Sequence, residues 1–301
     1  MRPGSRCSMG LVGLPKQWGA VTPPVGARIN HGHPLAIDII GCWLLEEGGG
    51  LTAFDISGYN NHGTLNGPIW RPGQNGMALQ FDAINDVVDA GSNPILDDVP
   101  ALTWVVWMFP ETAGEASVGR ILDKSTGAGP VNGYTWFTQN TATCQFGVDY
   151  TSTNLVRLAS NNSLVFNRWQ QMAVTWDGSA TAANVHIYIN GNEVRYTTTT
   201  DGTGTRVSDG SAGLTIGNLA GGTAATFDGL IESVVMYRRA LSQQEIQWLY
   251  VDPYAFMIPQ SPRLRDVGAF VAGAAPVFTA TFRKTLSPVG TGVGRRQTIG
   301  V

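Results

Sequence analysis

The stretch NVHIYINGNEVRY, residues 184–196, constrains the fold of this chain more tightly than any other. Val185, Ile187 and Ile189 alternate with His186 and Tyr188, the two-residue period of a half-buried strand, and Asn190-Gly191 follows at once. Asn-Gly readily takes the two positive-φ positions of a type I′ turn, so this segment predicts a tight hairpin with one face buried. Residues 40–240 continue in the same manner, with short apolar, β-branched and aromatic runs recurring between Gly, Asn, Asp and Ser clusters. ALTWVVWMF, residues 101–109, is apolar on both faces: Leu102, Trp104, Val106 and Met108 on one, Val105, Trp107 and Phe109 on the other. Such a strand sits centrally, covered on both sides or lining an aromatic surface. GYTWFTQ (133–139) and RWQQMAVTWDG (168–178) are further long strands, and the whole pattern predicts an all-β sandwich.

One helix stands out. In ALSQQEIQWLYVDP, Ser242 and Glu245 form a capping box, Leu241 and Ile246 occupy hydrophobic-staple positions and Pro253 marks the stop, so Ile246, Leu249 and Tyr250 are expected to pack on the sandwich. Three cysteines, Cys7, Cys42 and Cys144, lack C-x-x-C spacing and read as small buried hydrophobes rather than a disulfide framework or zinc knuckle. The N-terminal apolar residues are broken by Gly and Pro before any signal-peptide core forms, and no membrane span is visible.

The net charge of −3 is unevenly placed: residues 1–38 carry +3, residues 253–301 carry +5, and the segment between them carries −11. Basic ends on an acidic body call for an acidic partner or for arms that associate with the bodies of sister copies. Nucleic acid is disfavoured, because the ends lack Lys/Arg runs with interleaved aromatics and the acidic middle repels phosphate. Residues 1–38 (VTPPVGAR, GHP) suit an extended N-terminal arm, and residues 253–301 (PQSP, AFVAG, VFTATF, SPVGTGVG) suit a C-terminal one. VFTATF alternates, so its backbone groups need a sheet edge.

GCWLLEEGGGLTAFDISGYNNHGTL, GMALQFDAINDVVDAGS, LTWVVWMFP, RWQQMAVTWDGS, VHIYINGNEV and FDGLIESVVMYRRALSQQEIQWLY, in that order, resemble the laminin-G-like, concanavalin A-like lectin/glucanase superfamily. The resemblance implies a jelly roll of two antiparallel sheets over residues 39–252. Function does not follow from that fold, which serves lectins, hydrolases, adhesion modules and virion proteins alike.

The loop FDISGYNNHGTL, residues 54–65, has two readings. Gly58 and Gly63 supply positive φ, and Asp55, Ser57, Asn60 and Asn61 can bond their own backbone, so it is complete as a turn. The family resemblance instead implies a structural calcium ion held between this loop and FDGLIES, by Asp55, Asn60, Asp228 and Glu232, with Asp55 beside Asp228. Against that, the family's usual G-x-I-D-E is here Gly229-Leu230-Ile231-Glu232-Ser233.

Catalysis finds little support. A retaining glucanase on this scaffold needs two close carboxylates, usually E-x-D-x-x-E on one strand, and that string is missing. His31, His33, His62 and His186 lie near no G-x-S-x-G elbow, and His31-Gly32-His33-Pro34 reads as a turn. A non-enzymatic role follows. Aromatic faces stack on sugar rings, which makes Trp107, Tyr134, Trp136 and Tyr188 the candidate carbohydrate-binding residues, each weighed against a core position. The arms and jelly roll together resemble tailed-phage structural proteins. That implies a protein of the virion surface, a capsid decoration or a head or tail fibre, anchored to other virion proteins and to sister copies as a trimer, and displaying a lectin-like body to host glycans. A free or cell-surface lectin is the alternative, and neither nucleic acid nor membrane is expected as a partner.

Overall fold

Over residues 22–220 and 224–258, the span described by the computed structural model, the chain is built of short antiparallel strands. They are β1 (Ile39–Trp43), β2 (Thr52–Ala53), β3 (Gly63–Asn66), β4 (Ile69–Pro72), β5 (Met77–Asp82), β6 (Val87–Asp89), β7 (Leu102–Pro110), β8 (Val118–Lys124) and β9 (Tyr134–Gln139). Then follow β10 (Thr143–Val148), β11 (Leu155–Ala159), β12 (Gln170–Trp176), β13 (His186–Ile189), β14 (Asn192–Glu193), β15 (Tyr196–Thr200), β16 (Thr215–Ile216) and β17 (Asp228–Tyr237), before a single α-helix, α1 (Gln243–Val251). The first sheet runs β14-β13-β12-β7-β17-β5-β4 with β1 added on β17, and the second runs β15-β11-β10-β9-β8-β16-β6-β3-β2. This is a sandwich, as the short-strand pattern predicts, with the jelly-roll order of sequentially distant neighbours that the family resemblance implies.

Alternation decides what lies between the sheets. Leu102, Trp104, Val106 and Met108 of β7 face Tyr134, Trp136, Cys144, Phe146 and Leu155 across the sandwich, and all are fully enclosed. Val185 and Ile187 join them and Ile189 packs at the margin, while Asn190 and Gly191 take φ of 51° and 75°, the tight turn that the sequence requires.

The other face of the first sheet is covered as well. Val105, Ala173, Tyr188, Val235 and Tyr237 support a second core made with Ile246 and Leu249 of α1 and with residues from both flanking segments, including Ile29, Leu35, Tyr254 and Phe256. The capping box forms in both directions: Ser242 Oγ accepts from Glu245 N at 3.3 Å, and Glu245 Oε2 accepts from Ser242 N at 2.9 Å. Glu245 also pairs with Arg239 at 2.7 Å.

Here the expected boundaries at 39 and 252 are corrected. Residues 28–30 pair with 256–258, with Asn30 N donating to Phe256 O at 2.8 Å and Ile258 N to Arg28 O at 2.8 Å. Apolar Ala27, Ile29, Leu35, Tyr254, Phe256 and Met257 give residues 22–38 and 253–258 too much to bury for extended arms, so both belong to the folded body. VFTATF and Cys7 lie outside the described residues.

Candidate functional site

The four candidate aromatics separate into three environments. Tyr134 and Trp136 are completely buried, with ring centroids 5.3 and 6.3 Å from that of Trp104, and cannot meet a sugar. Their strand carries aromatics on both faces, and the pleat turns Tyr134 and Trp136 into the sandwich. Trp107 lies on the outer face of the first sheet, but Tyr250 of α1 stacks over it at 6.1 Å and 17°. Tyr188 borders a cleft.

The proposed calcium ligands do not come together. Asp55 bridges to Trp43, which pairs with Val234, whereas Asp228 lies six residues back along β17, about 20 Å away at ~3.4 Å per residue. Asp228 accepts from Thr112 Oγ1 at 2.5 Å, and Glu232 is buried and accepts from Asn75 N at 2.6 Å. Asp55 is itself saturated with donors: Cys42 N at 2.9 Å, Ser57 N at 2.8 Å, Ser57 Oγ at 2.7 Å and Asn61 N at 2.9 Å. A shell of N–H and O–H groups suits a carboxylate and excludes a cation, so the donor set does not fit calcium. Asn60 and Gly58 take positive φ of 58° and 98°, and Asn61 ties the turn down by donating to Ile40 O at 2.8 Å. Among the described residues, no group of three or more His, Cys, Asp or Glu stands at metal-binding spacing.

Tyr188 leads to the candidate site. A cleft of about 410 Å³ opens on the outer face of β12 and β13, lined by Thr175, Asp177, Asn184, His186 and Tyr188 and closed by Ala240–Gln243 at the start of α1. Period-two alternation puts Thr175, His186 and Tyr188 on one face, since Thr175 pairs with His186 and Ala173 with Tyr188. Asp177 and Asn184 approach from the two ends of the β12–β13 connection, and Asn184 Nδ2 donates to Asp177 Oδ2 at 2.8 Å. Burial pushes the Asp177 carboxyl up, but bonds from Ser179 and Asn184 outweigh it and hold the group below the ordinary carboxylate range. It is therefore an ionised acceptor at neutral pH. His186 Nδ1 lies 2.7 Å from Glu193 Oε1, which fixes the ring at the rim.

A carboxylate, an amide, an imidazole and a tyrosine edge around an open cleft form a set able to bond several hydroxyls at once. The sequence singled out Tyr188 but missed Asp177, Asn184, His186, Ser242 and Gln243. The available signal was His186 sharing the outward face of the hairpin with Tyr188. A second cleft of about 340 Å³ is walled by Pro23, Val25, Leu44, Phe54 and Ile56, with Glu46, Glu47, Asp55 and His62 also on its lining, and its exposed surface is mainly apolar.

No match is found among curated protein sequences. Among solved structures, the chain is similar to the binding domain of Paraclostridial Mosquitocidal Protein 1, with a TM-score of 0.54 and 14% identity over 72% of this chain and 52% of that one. It is similar to the botulinum neurotoxin serotype D binding domain, with a TM-score of 0.51 and 13% identity over 74% and 52% of the two chains. A Trypanosoma rangeli sialidase matches with a TM-score of 0.53 and 12% identity over 80% of this chain and 37% of its own. The chain thus spans about half the length of the toxin binding domains, and at these identities the likeness is one of fold alone. Residues 82–247, more than half of the chain, match the family described as the concanavalin A-like lectin/glucanases superfamily. With both sheets, their order and the family match in agreement, this chain belongs to the concanavalin A-like lectin/glucanases superfamily.

Proposed function

We propose that this protein is a non-enzymatic glycan-binding module, and that the cleft at Thr175–Tyr188 is where the glycan docks. The observation that carries this reading is the convergence of Asp177, Asn184, His186 and Tyr188 on one open cleft. An ionised carboxylate paired with an amide accepts from and donates to neighbouring ring hydroxyls, and such bidentate polar contacts fix orientation in sugar sites that are otherwise shallow. The toxin binding domains of the same fold fit a binding role.

The wider role is that of a structural protein of a virion surface, displaying this body to host glycans while its ends hold it to the particle and to sister copies. Its support is the charge distribution, +3 and +5 at the ends against −11 between them, which favours end-to-body association among copies. A free lectin is the alternative. A glycan array probed with the full chain and with the Asp177→Asn variant tests the binding role. The expected result is selective retention of a small set of neutral glycans that the variant loses. Retention of no glycan, or equal retention by the variant, overturns it.

A further inference from the structure

On the outer face of the second sheet, opposite the cleft, β8 carries two buried charges. Arg120 is 1% exposed and Asp123 is fully enclosed, and Arg120 Nε lies 3.2 Å from Asp123 Oδ2. The guanidinium rests 4.6 Å above the Phe137 ring, and Asp123 Oδ1 accepts from Ser125 N at 3.0 Å and Ser125 Oγ at 2.8 Å. Its remaining bond is to a covering loop, residues 125–131, where Arg120 Nη2 donates to the Ala128 carbonyl. Arg120 Nε and Asp123 Oδ2 have only their ionic contact with each other, and Arg120 Nη1 and Thr135 Oγ1 are enclosed with no partner of any kind; a buried polar group left so costs on the order of 1–3 kcal/mol. The covering loop closes on itself, with Thr126 N donating to Val131 O at 2.8 Å and Asn132 Nδ2 to Thr126 Oγ1 at 2.9 Å, and Asn132 N ties its end to Asp149 Oδ2 at 2.7 Å, so residues 126–131 would have to move off Arg120 while Ser125 keeps its bonds to Asp123.

We infer that this is a second binding site, for the carboxylate of an acidic sugar, in which Arg120 and Thr135 take the ligand's oxygens where the Ala128 carbonyl now sits. Asp123 and Phe137 hold the guanidinium flat with its Nη edge turned away from the ion pair, which is the geometry for bidentate capture of a carboxylate. Gln145 pairs with Phe137 across the strands and Gln139 lies two residues further along β9, their side chains 3.4 Å apart, which places two amides beside the arginine for ring hydroxyls. Burial pushes the Asp123 carboxyl up to about 7 against the pull of Arg120. A carboxylate satisfies both stranded groups at once.

The test is calorimetric titration of the full chain with D-glucuronate and, at matched ionic strength, with D-glucose, which carries a hydroxymethyl group where glucuronate has the carboxylate. Saturable binding of glucuronate alone is expected. Thr135→Val removes a hydroxyl that has no partner, so it should keep the melting temperature while weakening glucuronate about tenfold. Arg120→Gln should abolish binding, with Thr135→Val remaining decisive if that variant does not fold. Equal responses to the two sugars, no binding, or unchanged affinity in Thr135→Val would each show the cluster to be packing alone. Neutral glycans at the opposite cleft are unaffected by any of these results, so the two sites stand or fall separately.

Discussion

Ile187 shows how a single residue secures this sandwich. It is fully buried between the sheets, pairs across to Val174, and its neighbour Tyr188 faces the other core. Ile187→Ala should cost about 2–5 kcal/mol, measured by denaturant unfolding, because a β-branched side chain at such a site leaves a cavity that the flanking strands cannot close. A loss below ~1 kcal/mol would place it outside the core. Asp123 makes a prediction of the opposite kind. Burial pushes its folded carboxyl up to about 7 despite Arg120, while an unfolded aspartate titrates near ~3.9. The folded state thus holds a proton that the unfolded state has released, and this group's contribution to stability falls as pH rises between those two values, then levels off. Comparing wild type with Asp123→Asn over that range isolates the slope, which the variant should lack. Identical pH profiles would mean that the ion pair with Arg120 keeps the carboxyl ionised.

Among the elements, the loop at residues 54–65 is the instructive one, since family resemblance and local chemistry pointed different ways. Its donors all aim at Asp55, so calcium at millimolar concentration should leave the melting temperature unchanged, as should a chelator. A rise with calcium would restore the metal reading. Elements set by local rules were legible in advance: the Asn190-Gly191 hairpin, the Ser242–Glu245 capping box and the two-faced strand β7 each follow from a few adjacent residues. Two features were not. β9 carries aromatics on both faces, Tyr134 and Trp136 on one and Phe137 on the other, so nothing local says that Trp136 points inward, and residues 22–38 look like an arm because Pro and Gly interrupt apolar residues that meet their partners more than 200 positions away. The cleft was half-legible for the same reason, with Tyr188 on the hairpin but Ser242 and Gln243 brought to it only by the return of the chain.

At the scale of the whole molecule, an acidic body with basic ends predicts association that depends on those ends and on salt. In light scattering at low ionic strength the full chain should form a multimer, a trimer on the present reading, while a fragment of residues 22–258, which contains every described member of both cores, stays monomeric. A monomeric full chain would contradict the anchoring role and favour a free lectin. Glycan recognition by the outer face of the first sheet is the central claim, and mapping chemical shifts of the isotopically labelled protein, as a glycan retained on the array is added, tests it most directly. The account predicts saturable shifts confined to residues 175–188 and 240–243, absent in Asp177→Asn. Shifts centred elsewhere on the surface, or an unaltered map in the variant, would contradict it.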